Sequence, residues 1–248
     1  HDGRTFRIDG VTGPDEYSAL ADDNDYTNLM AARNLDGAAD GAERFPEEAA
    51  RLEVTAEEIA HWRRCSEAVY VPFDHVLGVH QQAAHFTHHA RWDFDATPPE
   101  AYPLLLSAPY FDLYRKQVVK QADLTFALYA CGDRFPDAEQ KAKDFAYYEG
   151  ITVRDSSLSA AIQAIVAAET GHLDLSYAYV RETARMDLDD LAGNTRDGLH
   201  MASLAGAWLA LVAGHRAGVR PDVVNDAQGA VGVVVAVAAG GNRRWRPA

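Results

Sequence analysis

At 248 residues, 48% apolar and 24% charged, the chain has the composition of an ordinary globular protein with room for a substantial core, which excludes disorder as its main state. Lys and Arg number 23 against 37 Asp and Glu, a formal net charge of −14 that repels polyanions and speaks against nucleic acid or an acidic membrane as a partner. No apolar run approaches the roughly 20 residues of a membrane span, and HDGRTF lacks the basic-then-apolar plan of a signal peptide, so a cytoplasmic chain acting on a neutral substrate is expected.

The chain opens without Met, in a stretch ending FRIDGVTGPDEY, and is expected to be a fragment that starts inside a domain. Strand-like alternation is confined to short pieces near residues 4 to 9 and 69 to 80; elsewhere apolar residues recur at helical spacing, and the class is all-α. The first helix is predicted over Tyr26 to Leu35, and a second opens at Thr55, with Glu58 three residues on in capping-box spacing. The stretch from Pro72 to Pro103 shows no sustained period and reads as an extended connection with one strand or helical turn. It carries His75, His80, His85, His88 and His89, which without an HExxH motif or acidic partners at helical spacing are loop and surface residues rather than a zinc site.

Further helices are predicted at about 107 to 131, 136 to 148, 157 to 170, 173 to 186 and 199 to 214, with Pro136 at a start and Gly132, Gly150, Gly171 and Gly214 at stops. Cys65 and Cys131 fall inside predicted helices with no CxxC or Cys/His metal spacing, as buried thiols of a reducing compartment do. Helical hairpins of similar length joined by short loops make an antiparallel α/α stack, whose closed form is a toroid of inner and outer helices. Residues 1 to 220 are assigned to this stack and 221 to 248 to a tail, nearly pure Val, Ala and Gly over Gly229 to Gly241, given no structure.

Four segments carry candidate chemistry. In GVTGPDEYSALADDNDYTNLMAARNL, residues 10 to 35, a Gly-Pro-Asp-Glu turn precedes a helix, so a stiff loop presents a carboxylate that Tyr17 can shield from water. Shielding raises a carboxyl pKa and suits a general acid, although an isolated PDE also reads as solvated turn charges. In RKQVVKQADLTFALY, residues 115 to 129, helical spacing would make Lys116 and Lys120 i,i+4 neighbours, and Lys120 with Gln121 offers donors to sugar hydroxyls or a solvated basic face. Ser156 and Ser157 open a predicted helix just after Arg154 and Asp155, which reads as an anion site or as simple N-capping. His200 lies in the first turn of the apolar helix of NTRDGLHMASLAGAWLALVAG, as a second anion ligand or a satisfied core histidine. No GxGxxG, GxxxxGK[ST] or GxSxG is present.

Taken in order, GVTGPDEY, DDNDYTNLMA, KQAD, YYEGITVRDSSLS, ARMDLDD and DGLHMASLAGAWLALVAG resemble the second half of the catalytic domain of glycoside hydrolase family 65, from about residue 8 to residue 214. The resemblance implies a partial (α/α)6 toroid and inverting phosphorolysis of an α-linked glucose disaccharide (maltose, trehalose or kojibiose) to β-glucose 1-phosphate, or hydrolysis as in the family's acid trehalases. It implies Glu16 as general acid, Lys120 and Gln121 as holders of the glucosyl unit, and Ser156, Ser157 and His200 as ligands of phosphate, which is a co-substrate in an enzyme without a cofactor or metal. Phosphate is already largely ionised at pH 7 and attacks without a second carboxylate. The chain departs from the family where Arg154 replaces a frequent His and where HRAGVRP follows LVAG; the family's β-sandwich, helical linker and first half-toroid have no counterpart in it. Opened inner helix faces lead to an expectation of self-association or of a loosely packed monomer, and the missing first half to the alternative of a silent remnant that only binds sugar, phosphate or another chain.

Overall fold

The computed structural model describes residues 4–214, which fall into an N-terminal unit, part of His1–Pro136, and a C-terminal unit, part of Asp137–Ala248. The tail predicted from 221, the boundary before it and the HRAGVRP departure lie outside the described residues.

In the N-terminal unit, Asn24 ends the acidic loop and caps α1 (Asp25–Arg44), its Oδ1 accepting from the Thr27 amide at 3.0 Å and the Thr27 hydroxyl at 2.9 Å. The helix runs past the predicted end at Leu35 despite Gly37 and Gly41. Beyond that point Asp36, Asp40 and Glu43 line up toward Arg63, at 3.9, 2.6 and 3.0 Å, on α3 (Ala56–Glu67). Between them lies the short α2 (Pro46–Arg51). Thr55 caps α3 as its spacing predicts, accepting from the Glu58 amide at 3.1 Å. Leu29, Ala32, Ala39 and Cys65 are buried along the two long helices. The two strand-like pieces find each other: Phe6 bridges Val69, with Tyr70 N donating to Phe6 O at 2.9 Å.

The connection from Pro72 to Pro103 holds β1 (Phe73–Asp74), β2 (Val79–His80) and β3 (Ala90–Arg91), with single 3-10 turns at Phe86–His88 and Pro99–Ala101. β1 and β2 are antiparallel, and the His80 ring lies edge-on between Phe73 and Phe135. The helix predicted at 107 to 131 is not continuous. It divides into α4 (Leu104–Ser107), α5 (Tyr110–Leu113), β4 (Lys116–Gln117) and α6 (Asp123–Ala130). The physical reason is a stronger claim on the same backbone: β4 pairs in parallel with β3, and the Lys120 amide goes to the Asp15 carboxylate at 2.9 Å instead of to a carbonyl one turn back.

In the C-terminal unit, Asp137 caps α7 (Ala138–Glu149) through the Glu139 and Gln140 amides, at 2.9 and 3.1 Å. α8 (Ser159–Glu169) is buried on every face from Ser159 to Ala168 and stops at Gly171, whose φ of +86° suits glycine. α9 (Leu173–Arg185) returns along it, with Ser176 Oγ donating to Ala164 O at 2.7 Å. α10 (Met201–Leu209) continues into a wider π-type turn over Ala210–Gly214, where the sequence predicts one helix. A Cβ on Gly206 would stand 2.6 Å from Ala161 Cβ, and one on Gly214 would stand 3.2 Å from Ile165 Cα. Contacts therefore climb both helices together, so α8 and α10 are parallel and their N-termini share one end. The chain is all-α in class, built of helical hairpins in series.

Candidate functional site

The GPDEY turn of the N-terminal unit sorts its two acids. Asp15 is fully buried: Oδ1 accepts from the Lys120 amide at 2.9 Å and the Tyr17 amide at 3.2 Å, and Oδ2 from Ser18 Oγ and Gln82 Nε2, both at 3.1 Å. Burial pushes its carboxyl up to about 6, against the pull of these hydrogen bonds. Glu16 points the other way. Its side chain is 57% exposed and forms an ion pair with Lys120 Nζ, while Tyr110 Oη fixes its carbonyl at 2.7 Å. The shielding that the sequence assigns to Tyr17 thus falls on Asp15 rather than Glu16; Tyr17 is itself buried, its hydroxyl accepting from the Leu105 amide at 3.3 Å.

Lys120 and Gln121 reach this turn from the loop before α6, not from a helix face. Gln121 is buried and donates through Nε2 to the Pro14 carbonyl. Asp123, also buried, accepts from the Asp15 amide at 2.6 Å and from Asn24 Nδ2 at 2.6 Å. Its carboxyl is held well above the usual range, first by burial and then by the charge of Asp15. Gly13 is required here because a Cβ would fall 2.2 Å from Asp123 Oδ2 and 2.5 Å from Asn24 Nδ2. Two residues of KQAD, Gln121 and Asp123, and Asn24 of DDNDY therefore brace the turn, a role that the candidate chemistry of Lys120, Gln121 and Glu16 does not reveal.

In the C-terminal unit, Ser156 and Ser157 lie in the turn leading into α8; Ser156 Oγ accepts from the Leu158 amide at 3.2 Å. His200 is the N-cap of α10, one residue before the helix proper. Asp187, from ARMDLDD, takes its amide at 2.9 Å and its Nδ1 at 2.6 Å. A carboxylate that accepts the Nδ1 hydrogen leaves Nε2 as the ligand-facing nitrogen. Since α8 and α10 are parallel, the serines and the imidazole sit at the same end. Gly206 is six residues from His200 and Ala161 four from Ser157, so the crossing lies a similar number of residues beyond each. Two helix N-termini, two hydroxyls and an oriented imidazole suit a small anion.

Arg154 does not simply add charge to that end. Its backbone is left-handed, with φ +58°, and its guanidinium donates to Tyr179 Oη at 2.7 Å while lying 5.1 Å from the ring centroid. Tyr179 donates in turn to Glu149, which also receives Gln163 Nε2 at 2.8 Å. Burial raises the Glu182 carboxyl, with Arg154 opposing and Glu149 reinforcing. Among the described residues no three His, Cys, Asp or Glu side chains come together as a metal site, and no helix is long and apolar enough to cross a membrane.

Comparison with known proteins places these motifs. Residues 1–209 match the glycosyl hydrolase family 65 central catalytic domain. An uncharacterized glycosyl hydrolase of Mycobacterium tuberculosis is 55% identical over 217 residues, 88% of this chain and 27% of its own. The alpha,alpha-trehalose phosphorylase of Geobacillus stearothermophilus is 46% identical over 222 residues, 86% of this chain and 29% of its own. The solved structure of a candidate kojibiose phosphorylase from the human microbiome superposes with a TM-score of 0.76 at 27% identity, over 90% of this chain and 34% of that one. The chain thus spans little more than a quarter of the length of the curated relatives it matches.

Proposed function

The chain belongs to glycosyl hydrolase family 65, and from that premise we propose that it supplies the acid and phosphate halves of an inverting phosphorylase acting on an α-linked glucose disaccharide. Glu16 protonates the glycosidic oxygen as that bond breaks, a phosphate oxygen bonds to C1 from the opposite face, and β-glucose 1-phosphate and glucose leave. Lys120 and Gln121 hold the glucosyl unit, while Ser156, Ser157 and His200 hold the phosphate. Inorganic phosphate is the only co-reactant, no cofactor or metal takes part, and the reaction belongs in the cytoplasm.

The observation that carries this reading is the Asp187-oriented imidazole of His200 at the same helix end as Ser156 and Ser157. A second observation narrows the candidates for a water-activating base in the hydrolase alternative. The carboxylates bonded into the Glu16 turn, Asp15 and Asp123, are 0% exposed and occupied by backbone and amide donors, so neither of these two is placed to activate water. Trehalose heads the substrates to test because a trehalose phosphorylase is 46% identical; maltose and kojibiose follow, from phosphorylases 36% and 32% identical. The test is incubation with each disaccharide, with and without phosphate, followed by assay for β-glucose 1-phosphate. Glucose release independent of phosphate supports the hydrolase alternative. Sugar or phosphate binding without turnover supports a silent chain that acts only by binding.

A further inference from the structure

The turn that carries Glu16 and the loop that carries Lys120 are tied together by reciprocal carboxylates. Asp15, next to Glu16, accepts the backbone amide of Lys120 at 2.9 Å; Asp123, three residues after Lys120, accepts the backbone amide of Asp15 at 2.6 Å. Each is 0% exposed, and each is anchored on its far side, Asp15 by Gln82 and Ser18 and Asp123 by the α1 cap Asn24. Gln121 closes the same seam on the Pro14 carbonyl, and Gly13 leaves the space in which Asn24 meets Asp123. Burying two acids side by side is unfavourable for a fold that gains nothing from it. What they define here is a backbone geometry: both amides flanking Glu16, those of Asp15 and Tyr17, and the amide of Lys120 end on these two carboxylates.

We propose that Asp15 and Asp123 are positioning residues, a buried crossed clasp that sets Glu16 against Lys120 through backbone amides without touching the substrate. The catalytic part of this role rests on the phosphorylase reading above; the clasp itself does not. Because the work is hydrogen-bond acceptance, an amide should replace much of it. Asp15→Asn keeps one oxygen for the Lys120 and Tyr17 amides and can donate to a turned Gln82 amide, whereas Asp15→Ala keeps nothing.

Hydrogen–deuterium exchange of the 248-residue chain at pH 7 reads the clasp without turnover. Asp15→Ala should accelerate exchange in peptides spanning residues 14–18 and 118–122 by about 10- to 100-fold, the loss of one or two charge-assisted hydrogen bonds, with peptides of α1 and α3 unchanged and Asp15→Asn restoring most of the protection. Unchanged exchange in 118–122 with Asp15→Ala overturns the proposal. If Asp15→Ala also loosens α1 and α3, Asp123→Ala decides: faster exchange in 14–18 that Asp123→Asn largely reverses upholds the clasp, and wild-type exchange there, or an increase that Asp123→Asn does not reverse, overturns it. Where the wild type turns over disaccharide, Asp15→Ala should lower kcat at least 10-fold with the KM for phosphate within 2-fold, and Asp15→Asn should recover most of kcat. A fall in kcat that Asn does not recover overturns the positioning role. A wild type inactive on all three sugars refutes the phosphorylase reading and leaves the exchange result standing.

Discussion

Gly13→Ala tests the packing of the Glu16 turn with a single methyl group. The added Cβ would lie 2.2 Å from Asp123 Oδ2, 2.5 Å from Asn24 Nδ2 and 2.9 Å from Asn24 Cγ, far inside contact distance. None of these atoms is the free end of a flexible chain. Asp123 is held by the Asp15 amide, and Asn24 by its cap on Thr27 and by the 2.6 Å bond to Asp123. Overpacking at such a site costs about 1 to 3 kcal/mol, and separating Asn24 from Asp123 adds about 1.5 to 3 for a hydrogen bond to a charged group. The expected loss is about 3 to 5 kcal/mol, a large share of the roughly 5 to 15 that a domain possesses. Urea unfolding read by pulsed hydrogen exchange, so that residues 4–136 are followed apart from the rest, should show the midpoint falling by about 1 to 5 M for an ordinary urea slope. A change under about 0.5 kcal/mol would refute the reasoning, since it would mean that Asn24 and Asp123 move aside freely.

Burial sets the Asp15 carboxyl near 6, above its unfolded value, so the folded state binds the extra proton; stability should fall as pH rises from about 4 to 6, by on the order of 3 kcal/mol from this group, and Asp15→Asn should lessen that slope in urea titrations at stepped pH, leaving the share that buried Asp123 contributes. In a full-length family 65 context, Glu16→Gln should lower turnover of the disaccharide by about 10² to 10⁴ and recover with a glucosyl fluoride donor, and equal losses on both donors would count against Glu16 as the acid. Ser157→Ala and His200→Ala should raise the KM for phosphate at a cost of about 1.5 to 3 kcal/mol each with sugar binding nearly unchanged, and an altered KM for sugar alone would contradict their assignment. α10 leaves Met201, Leu204 and Trp208 exposed along one stripe, so light scattering on the chain should show self-association that Trp208→Arg reduces; a monodisperse wild-type monomer would contradict it.

Helix identity was legible wherever local periodicity and punctuation agreed, as at Thr55, at Asp137 just after Pro136, and at Gly171. It failed over 107 to 131, where RKQVVKQADLTFALY has helical spacing but its amides are claimed by β3 and by Asp15, partners 26 and 105 residues away in sequence. The end of α1 was missed for a related reason: the acids that follow Leu35 gain their value only from Arg63 on another helix. The site divides in the same way. Residues whose chemistry is intrinsic, a turn carboxylate or hydroxyls at a helix start, can be picked out from their neighbours. Asp15, Asp123 and Asp187 act through groups they orient, and no local pattern distinguishes an acid that will be buried from one that will be solvated.

The contact of Gly206 with Ala161 turns the middle of two helices into a gauge. With the serines before one helix and the imidazole at the start of the other, the thickness of side chain at that crossing sets how closely the two helices approach. A methyl group at Gly206 would spread the pair and suit a bulkier anion; a glycine at Ala161 would draw them in. On the phosphate role proposed above, selectivity between phosphate and a larger oxyanion such as arsenate would be tuned from this crossing, with the end of the helix acting as the jaw and the small residues as the screw.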